Sequence, residues 1–179
     1  MMTLILLVLA TIGLLFFLVA AIRGRAASVT SIADLKDRTR AIDLAAFRNL
    51  INPAEEQYLR ETLAPHDFNQ VQRERIRAAI AYVDAVADNA AVLLRLGEAA
   101  RRSANPQVAE LALLLVNNAL RVRAYAICTR TRFYAALVLP GIHVYPPTVT
   151  RMYEQLTGSA SRLGYLQNSA PIQRTVPIL

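Results

Sequence analysis

The apolar positions form three patterns along the chain. Met1 to Ile22 holds no charged residue and runs Leu4-Ile5-Leu6-Leu7-Val8-Leu9 through Leu14-Leu15-Phe16-Phe17-Leu18-Val19. About 20 apolar residues suffice for a transmembrane helix, so residues 1–22 are expected to span a membrane once. A cleaved signal peptide is the rival reading. Such peptides place basic residues before a shorter apolar stretch. Nothing basic precedes this run, although Ala20-Ala21 and Ala26-Ala27 offer cleavage positions. Arg23 and Arg25 follow at once, and the positive-inside rule places that flank, with the domain beyond it, in the cytoplasm.

The second pattern begins at Pro65. Phe68, Val71, Ile76, Ala79, Ile80, Val83, Val86, Ala90, Leu93 and Gly97 recur near the helical period, which predicts a long helix over 65–102. Ser103-Ala104-Asn105-Pro106 stops it and starts another, predicted over 106–139, where Pro140-Gly141 ends it. A short connection between two long helices makes them antiparallel. The second of these helices is apolar on two sides. One carries Leu111, Leu114, Leu115, Val122, Tyr125 and Phe133; the other carries Leu113, Val116, Leu120, Ile127, Tyr134 and Val138. A helix apolar nearly all round is covered on more than one side. The hairpin partner covers one side. The short helices before Pro65 are candidates for the other, failing which a partner protein, a second copy or lipid must cover it.

The third pattern is weaker and is read from caps. Residues 23–30 form a linker. Ser31 and Asp34 suit a capping box, predicting a helix over 32–39. Asp43 suits the cap of a helix over 44–50. Asn52-Pro53 with Glu55 is the clearest start in the chain, for a helix over 53–63 that Ala64-Pro65 breaks. His143-Val144-Tyr145-Pro146-Pro147 reads as extended. Thr148 is taken to cap a short helix over 148–157 that Gly158 stops. Residues 158–179, with Pro171 and Pro177, read as a flexible tail. The fold class is therefore all-α: an N-terminal transmembrane helix, then one small helical domain over 31–157 built on a long antiparallel hairpin.

Composition sharpens this picture in two places. The formal charge is +7, from 20 Lys+Arg against 13 Asp+Glu, and Lys36 is the lone lysine. Arginine forks favour phosphate and carboxylate, and a basic balance favours anionic lipid or nucleic acid. A codon bias toward Arg and Ala gives the same composition without any partner. Cys128 is the single cysteine of 179 residues. It allows no intrachain disulfide and no cysteine-based zinc site, and beside Ala126 and Ile127 it reads as a buried, inert thiol.

Centring the hairpin turn on Ala104 generates the candidate sites. Asp84 and Asp88 then lie beside Arg121 and Arg123, as a structural ion-pair ladder rather than a metal or proton-sharing pair. Arg73, Arg75 and Arg77 lie level with Arg130 and Arg132. Those five arginines are a candidate anion site, unless Glu55, Glu56 and Glu61 fold back to neutralise them. Asn89, Asn117 and Asn118 read as register-fixing polar positions. His66 beside Asp67 lacks a nucleophile to complete a triad, so Asp67 reads as a capping residue and His143 as structural. Tyr145-Pro146-Pro147 reads as a rigid connector.

No Walker loop, dinucleotide fingerprint, zinc motif or nucleophile elbow is present in the sequence. With no convergent acid, base and nucleophile, the expectation is a non-enzymatic protein without catalytic, cofactor or metal residues. It would be a membrane-anchored helical adaptor or accessory subunit that contacts lipid through residues 1–22 and another protein or a second copy through its helices. The alternative is a peripheral binder of anionic lipid or nucleic acid through the arginines. Nucleic acid is the weaker ligand of the two, because no interleaved aromatic series accompanies the basic residues.

Overall fold

The computed structural model describes Leu7, Thr11, residues 38–139 and residues 144–169. The expected membrane span at 1–22, the linker at 23–30 and most of the helix at 32–39 lie outside that range. Leu7 and Thr11 are helical, with the Thr11 hydroxyl donating to the Leu7 carbonyl at 2.8 Å. The described residues are all helical or irregular, without strands.

Five helices follow in order: α1 (Leu44–Leu50), α2 (Pro53–Thr62), α3 (Pro65–Ala100), α4 (Pro106–Val138) and α5 (Pro147–Ser169). Their starts have local causes. The Asp43 carboxylate accepts from the Ala45 and Ala46 amides, and the Asn52 and Asn105 side chains accept from Ala54 and Gln107. Each bond satisfies an orphan amide of a first turn. Pro53, Pro65 and Pro106 stand at helix starts, where a missing N–H costs nothing. Ala64 caps α3 without a side-chain bond, and Asp67 lies inside the first turn instead. There its charge complements the helix dipole rather than capping an amide.

α3 and α4 pack closely along their length. The buried residues of α3 include Ala79, Val83, Val86, Ala90, Leu93, Gly97 and Ala100, at alternating intervals of four and three. Those of α4 include Val108, Ala112, Leu115, Ala119, Val122, Ala126, Thr129 and Phe133, at the same alternation. This is the repeat that keeps one line of side chains against a partner helix. Many of these residues are small, so the backbones come close. A Cβ built on Gly97 would lie 2.8 Å from Val116 Cγ2 and 3.1 Å from the Ala112 carbonyl oxygen.

α5 corrects the sequence reading. It starts at Pro147, so Thr148 lies within the first turn rather than capping it, and it continues through Gly158 to Ser169. Residues 158–169 of the expected flexible tail are thus helix. Gly158 faces open space, and a helical glycine costs only about 1 kcal/mol. Beyond it Leu163 is fully buried, Leu166 packs on the same core, and the Ser159 hydroxyl donates to the Gln155 carbonyl. Burying one leucine is worth roughly 1.5–3 kcal/mol, which outweighs the glycine.

The cover of α4 is also corrected. α1 and α2 pack on α3, while α5 packs on α4. Asn118 donates to Ser159 Oγ at 3.1 Å across that contact. Two apolar clusters result. One joins Leu93, Leu94 and Leu96 to Leu115, Leu156 and Leu163 toward the hairpin turn. The other joins Phe47, Ile51, Ile80, Val83 and Phe133. Among the described residues, α4 is the one helix long and apolar enough to cross a membrane by length and composition. In the fold it is the central helix, between α3 and α5.

Unfolding of three variants checks this packing. Leu163→Ala should cost about 2–5 kcal/mol, whereas a residue of a flexible tail would cost nothing measurable. Gly158→Ala should stabilise by about 0.5–1 kcal/mol. Gly97→Ala should destabilise, because overpacking of about 1–3 kcal/mol exceeds the helix-propensity gain.

Candidate functional site

The two sides of α4 differ once α5 is in place. On the first, Leu115, Val122 and Phe133 are buried and Leu111 is half-buried, while Leu114 and Tyr125 remain 44% and 47% exposed. On the second, Val116 is buried and Leu120 and Ile127 are half-buried, but Leu113, Tyr134 and Val138 remain 45%, 51% and 78% exposed. Leu113, Leu120, Ile127 and Tyr134 recur every seven residues. Asn117, Ala124, Thr131 and Val138 fall four residues after each of them. The eight positions make a second stripe with the spacing of the first and without a charge. The Thr131 hydroxyl donates to the Ile127 carbonyl at 3.0 Å, so its polar group is already satisfied within the helix.

Charged groups flank this stripe, with partners that differ from the expected ladder. Arg130 Nη1 lies 3.1 Å from Asp84 Oδ1, and Asp88 meets Arg40 at 3.8 Å. Arg123 donates to the Ala87 carbonyl at 2.8 Å; burial lowers its guanidinium below the ordinary value, with the Asp88 charge opposing that effect. Arg121 is exposed. The backbone register is close to that centred on Ala104, since Gly97 meets Ala112 and Arg123 meets Ala87. The Asp84 pairing changes because an arginine side chain reaches about one helical turn along the axis. These pairs are largely exposed and worth about 0–1 kcal/mol each.

The five-arginine cluster is mostly engaged locally. Arg75 donates to the Leu50 carbonyl at 2.9 Å, at the C-terminal end of α1. Arg77 pairs with Glu74 on its own helix, and Arg130 with Asp84. Arg73 and Arg132 are exposed. Glu56 pairs with Arg60 one turn away at 3.0 Å, and Glu61 accepts from Gln57 at 2.9 Å.

Cys128 is exposed, not buried. Ala126 is in the inner stripe and Ile127 on the open side. Each residue turns the helix by about 100°, so Cys128 faces outward despite its apolar neighbours in sequence. His143 lies outside the described residues. His66 is exposed. Among the described residues no three His, Cys, Asp or Glu side chains gather to hold a metal. Open cavities of about 430 and 250 Å³ adjoin Ile51 and Tyr145, lined by both signs of charge including Glu56, Arg60, Arg151 and Glu154.

A buried polar knot went unread in the sequence. Asn89 accepts from the Arg40 amide at 2.8 Å, and its amide nitrogen donates to the Arg40 carbonyl at 2.8 Å and to Tyr153 Oη at 2.7 Å. Asn89 therefore does not fix the α3–α4 register; it ties the segment before α1 to α5. Burial pushes the Tyr153 phenol above its ordinary value, against the opposing effect of the Asn89 bond. Only the partner of Asn89 was hidden in the sequence, because residue 40 and residue 153 are both distant from it.

Comparison with family models, with curated proteins and with solved structures gives no match.

The knot sets a pH dependence. A raised folded-state pKa means the native state holds the Tyr153 proton more tightly. Its contribution is complete below pH about 10 and is lost as the pH rises through the raised value. Tyr153→Phe should cost about 1 kcal/mol at neutral pH and should flatten the alkaline loss of stability. Unfolding followed at pH values on both sides of the tyrosine range reads this. An unchanged alkaline slope in the variant would show that Tyr153 does not set it.

Proposed function

We propose that this chain is a membrane-anchored helical adaptor or accessory subunit that acts by protein–protein contact, without catalysis. Residues 1–22 supply a single membrane span, and the helical domain faces the cytoplasm. One observation carries the reading: the uncharged stripe from Leu113 to Val138 repeats the spacing of the buried stripe but has no covering helix among the described residues. Leaving leucine, tyrosine and valine side chains in water forfeits the transfer energy that burial would supply, roughly 25 cal/mol per Å². A contiguous apolar stripe of this kind marks a contact surface.

Peripheral binding of anionic lipid or nucleic acid through Arg73, Arg75, Arg77, Arg130 and Arg132 is the weaker reading. Arg75, Arg77 and Arg130 already hold internal partners.

The single cysteine makes the test direct, because Cys128→Ser leaves a thiol-free chain. In that background, Tyr134→Cys should react with maleimide several-fold more slowly in native membranes than an exposed control, Ala99→Cys. The difference should vanish on denaturation. Equal rates in native membranes would show the stripe uncovered in place, and the adaptor reading would fall.

A further inference from the structure

We infer that α2 is a hinged lid, which opens on an intact core and uncovers the recess beside Gln72 and Arg75. The helix is weakly held. It contains no buried residue; Glu56 and Leu59 are half-buried and the others are exposed. Packing of an apolar face is what keeps most short helices in place. Three of its side-chain bonds are internal and travel with it: Arg60 to Glu56 at 3.0 Å, Gln57 to Glu61 at 2.9 Å, and the Thr62 hydroxyl to the Tyr58 carbonyl at 2.7 Å. Across the joint with α3, the Arg60 guanidinium lies 5.0 Å from the centroid of the Phe68 ring, a weak hold at the surface. Both ends allow a pivot. Asn52 leads into α2, and Leu63 and Ala64 lead out of it, through extended backbone. A few residues at element ends suffice for a hinge. On the side of Tyr145 the helix borders the open cavity of about 430 Å³, so it has room to move.

The closed position carries a cost that opening removes. Glu56 of α2 lines a recess of about 30 Å³ together with Gln72, Arg75, Ile51, Ile76 and Phe133. Gln72 Oε1 is buried without a hydrogen-bond partner. The other polar side chains of the recess do not serve it. A carboxylate such as that of Glu56 only accepts, and Arg75 donates to the Leu50 carbonyl at 2.9 Å instead. A buried acceptor left unsatisfied keeps its full desolvation penalty, and lifting α2 gives it water. The floor of the recess does not depend on the lid. Arg75 ties the end of α1 to α3, and Phe47 and Ile51 of that region are buried with Ile80, Val83 and Phe133. α1 therefore stays docked when α2 lifts.

Amide hydrogen exchange of the full chain in detergent reads the opening. A helix of 10 residues, once off its floor, does not keep its own backbone bonds. The amides of Tyr58 to Thr62 should exchange about 100-fold faster than those of α3 from Val83 to Leu94. The Ile51 amide, bonded to the Phe47 carbonyl at 3.1 Å, should exchange with the core. Two substitutions on α3, outside the lid, test what governs it. Gln72→Met keeps the length of the side chain and removes the unpartnered oxygen, so it should slow α2 exchange about ten-fold. Phe68→Ala removes the ring under Arg60 and should speed it about three-fold. Unchanged exchange from Val83 to Leu94 verifies that both variants are folded. Exchange of α2 at the core rate overturns the inference, and so does exchange of Ile51 together with α2. Indifference of α2 to either substitution marks a helix that frays by itself, and the lid falls.

Discussion

Close contact between α3 and α4 is the constraint on which the other features depend. Gly97 lies against the Ala112 carbonyl and Val116, with no room for a further carbon. Alanines stand at four-three intervals on both sides of the same seam. Small residues let two backbones approach, and close approach multiplies dispersion contacts that are individually weak. It also removes freedom to slide, since any shift drives Val, Leu or Phe into a neighbouring backbone. The register then determines which side chains share a level, from Arg123 at Ala87 to Asp84 beneath Arg130.

A seam rich in alanine and glycine has a corresponding weakness, because small side chains bury little apolar area. The hairpin therefore needs cover from outside, and the two clusters show where it comes from. Toward the turn, α5 brings Leu156 and Leu163 onto Leu93, Leu96 and Leu115. Toward the other end, α1 brings Phe47 onto Ile80 and Val83, with its ring 5.4 Å from that of Tyr82. Asn89 bonds at once to residue 40, ahead of α1, and to Tyr153 of α5. A buried amide of this kind costs heavily if either partner leaves. It therefore makes the docking of the segment before α1 and the docking of α5 depend on each other.

The parts legible in the sequence were those with local causes. Asp43, Asn52 and Asn105 announce helix starts because a short polar side chain can reach an amide two or three residues on. The long periodic runs announce the hairpin for the same reason. Gly158 misled because it is a local signal opposed by a distant one. Val149, Met152, Leu156, Ser159, Leu163 and Leu166 keep three-four spacing straight through it, and that spacing was the better guide. Cys128 misled because its neighbours in sequence are not its neighbours around the helix. The partner of Asp84 was not legible at all, since an arginine can reach about one turn in either direction along the axis and the pattern of charges alone cannot choose.

The same reasoning explains why α4 is apolar almost all round. One stripe, Val108 to Phe133, answers α3, and a neighbouring arc answers α5. Those two contacts account for Leu115, Val122 and Phe133, but not for Leu113, Tyr134 and Val138, which stay exposed. A helix serving only a three-helix core would carry charges in those places, as α3 does at the exposed Glu74, Arg77 and Asp88. Instead α4 keeps its arginines one residue off the second stripe and leaves the stripe itself uncharged. Charge has been held to the flanks of both stripes, and in the first of them that arrangement accompanies a helix already in place.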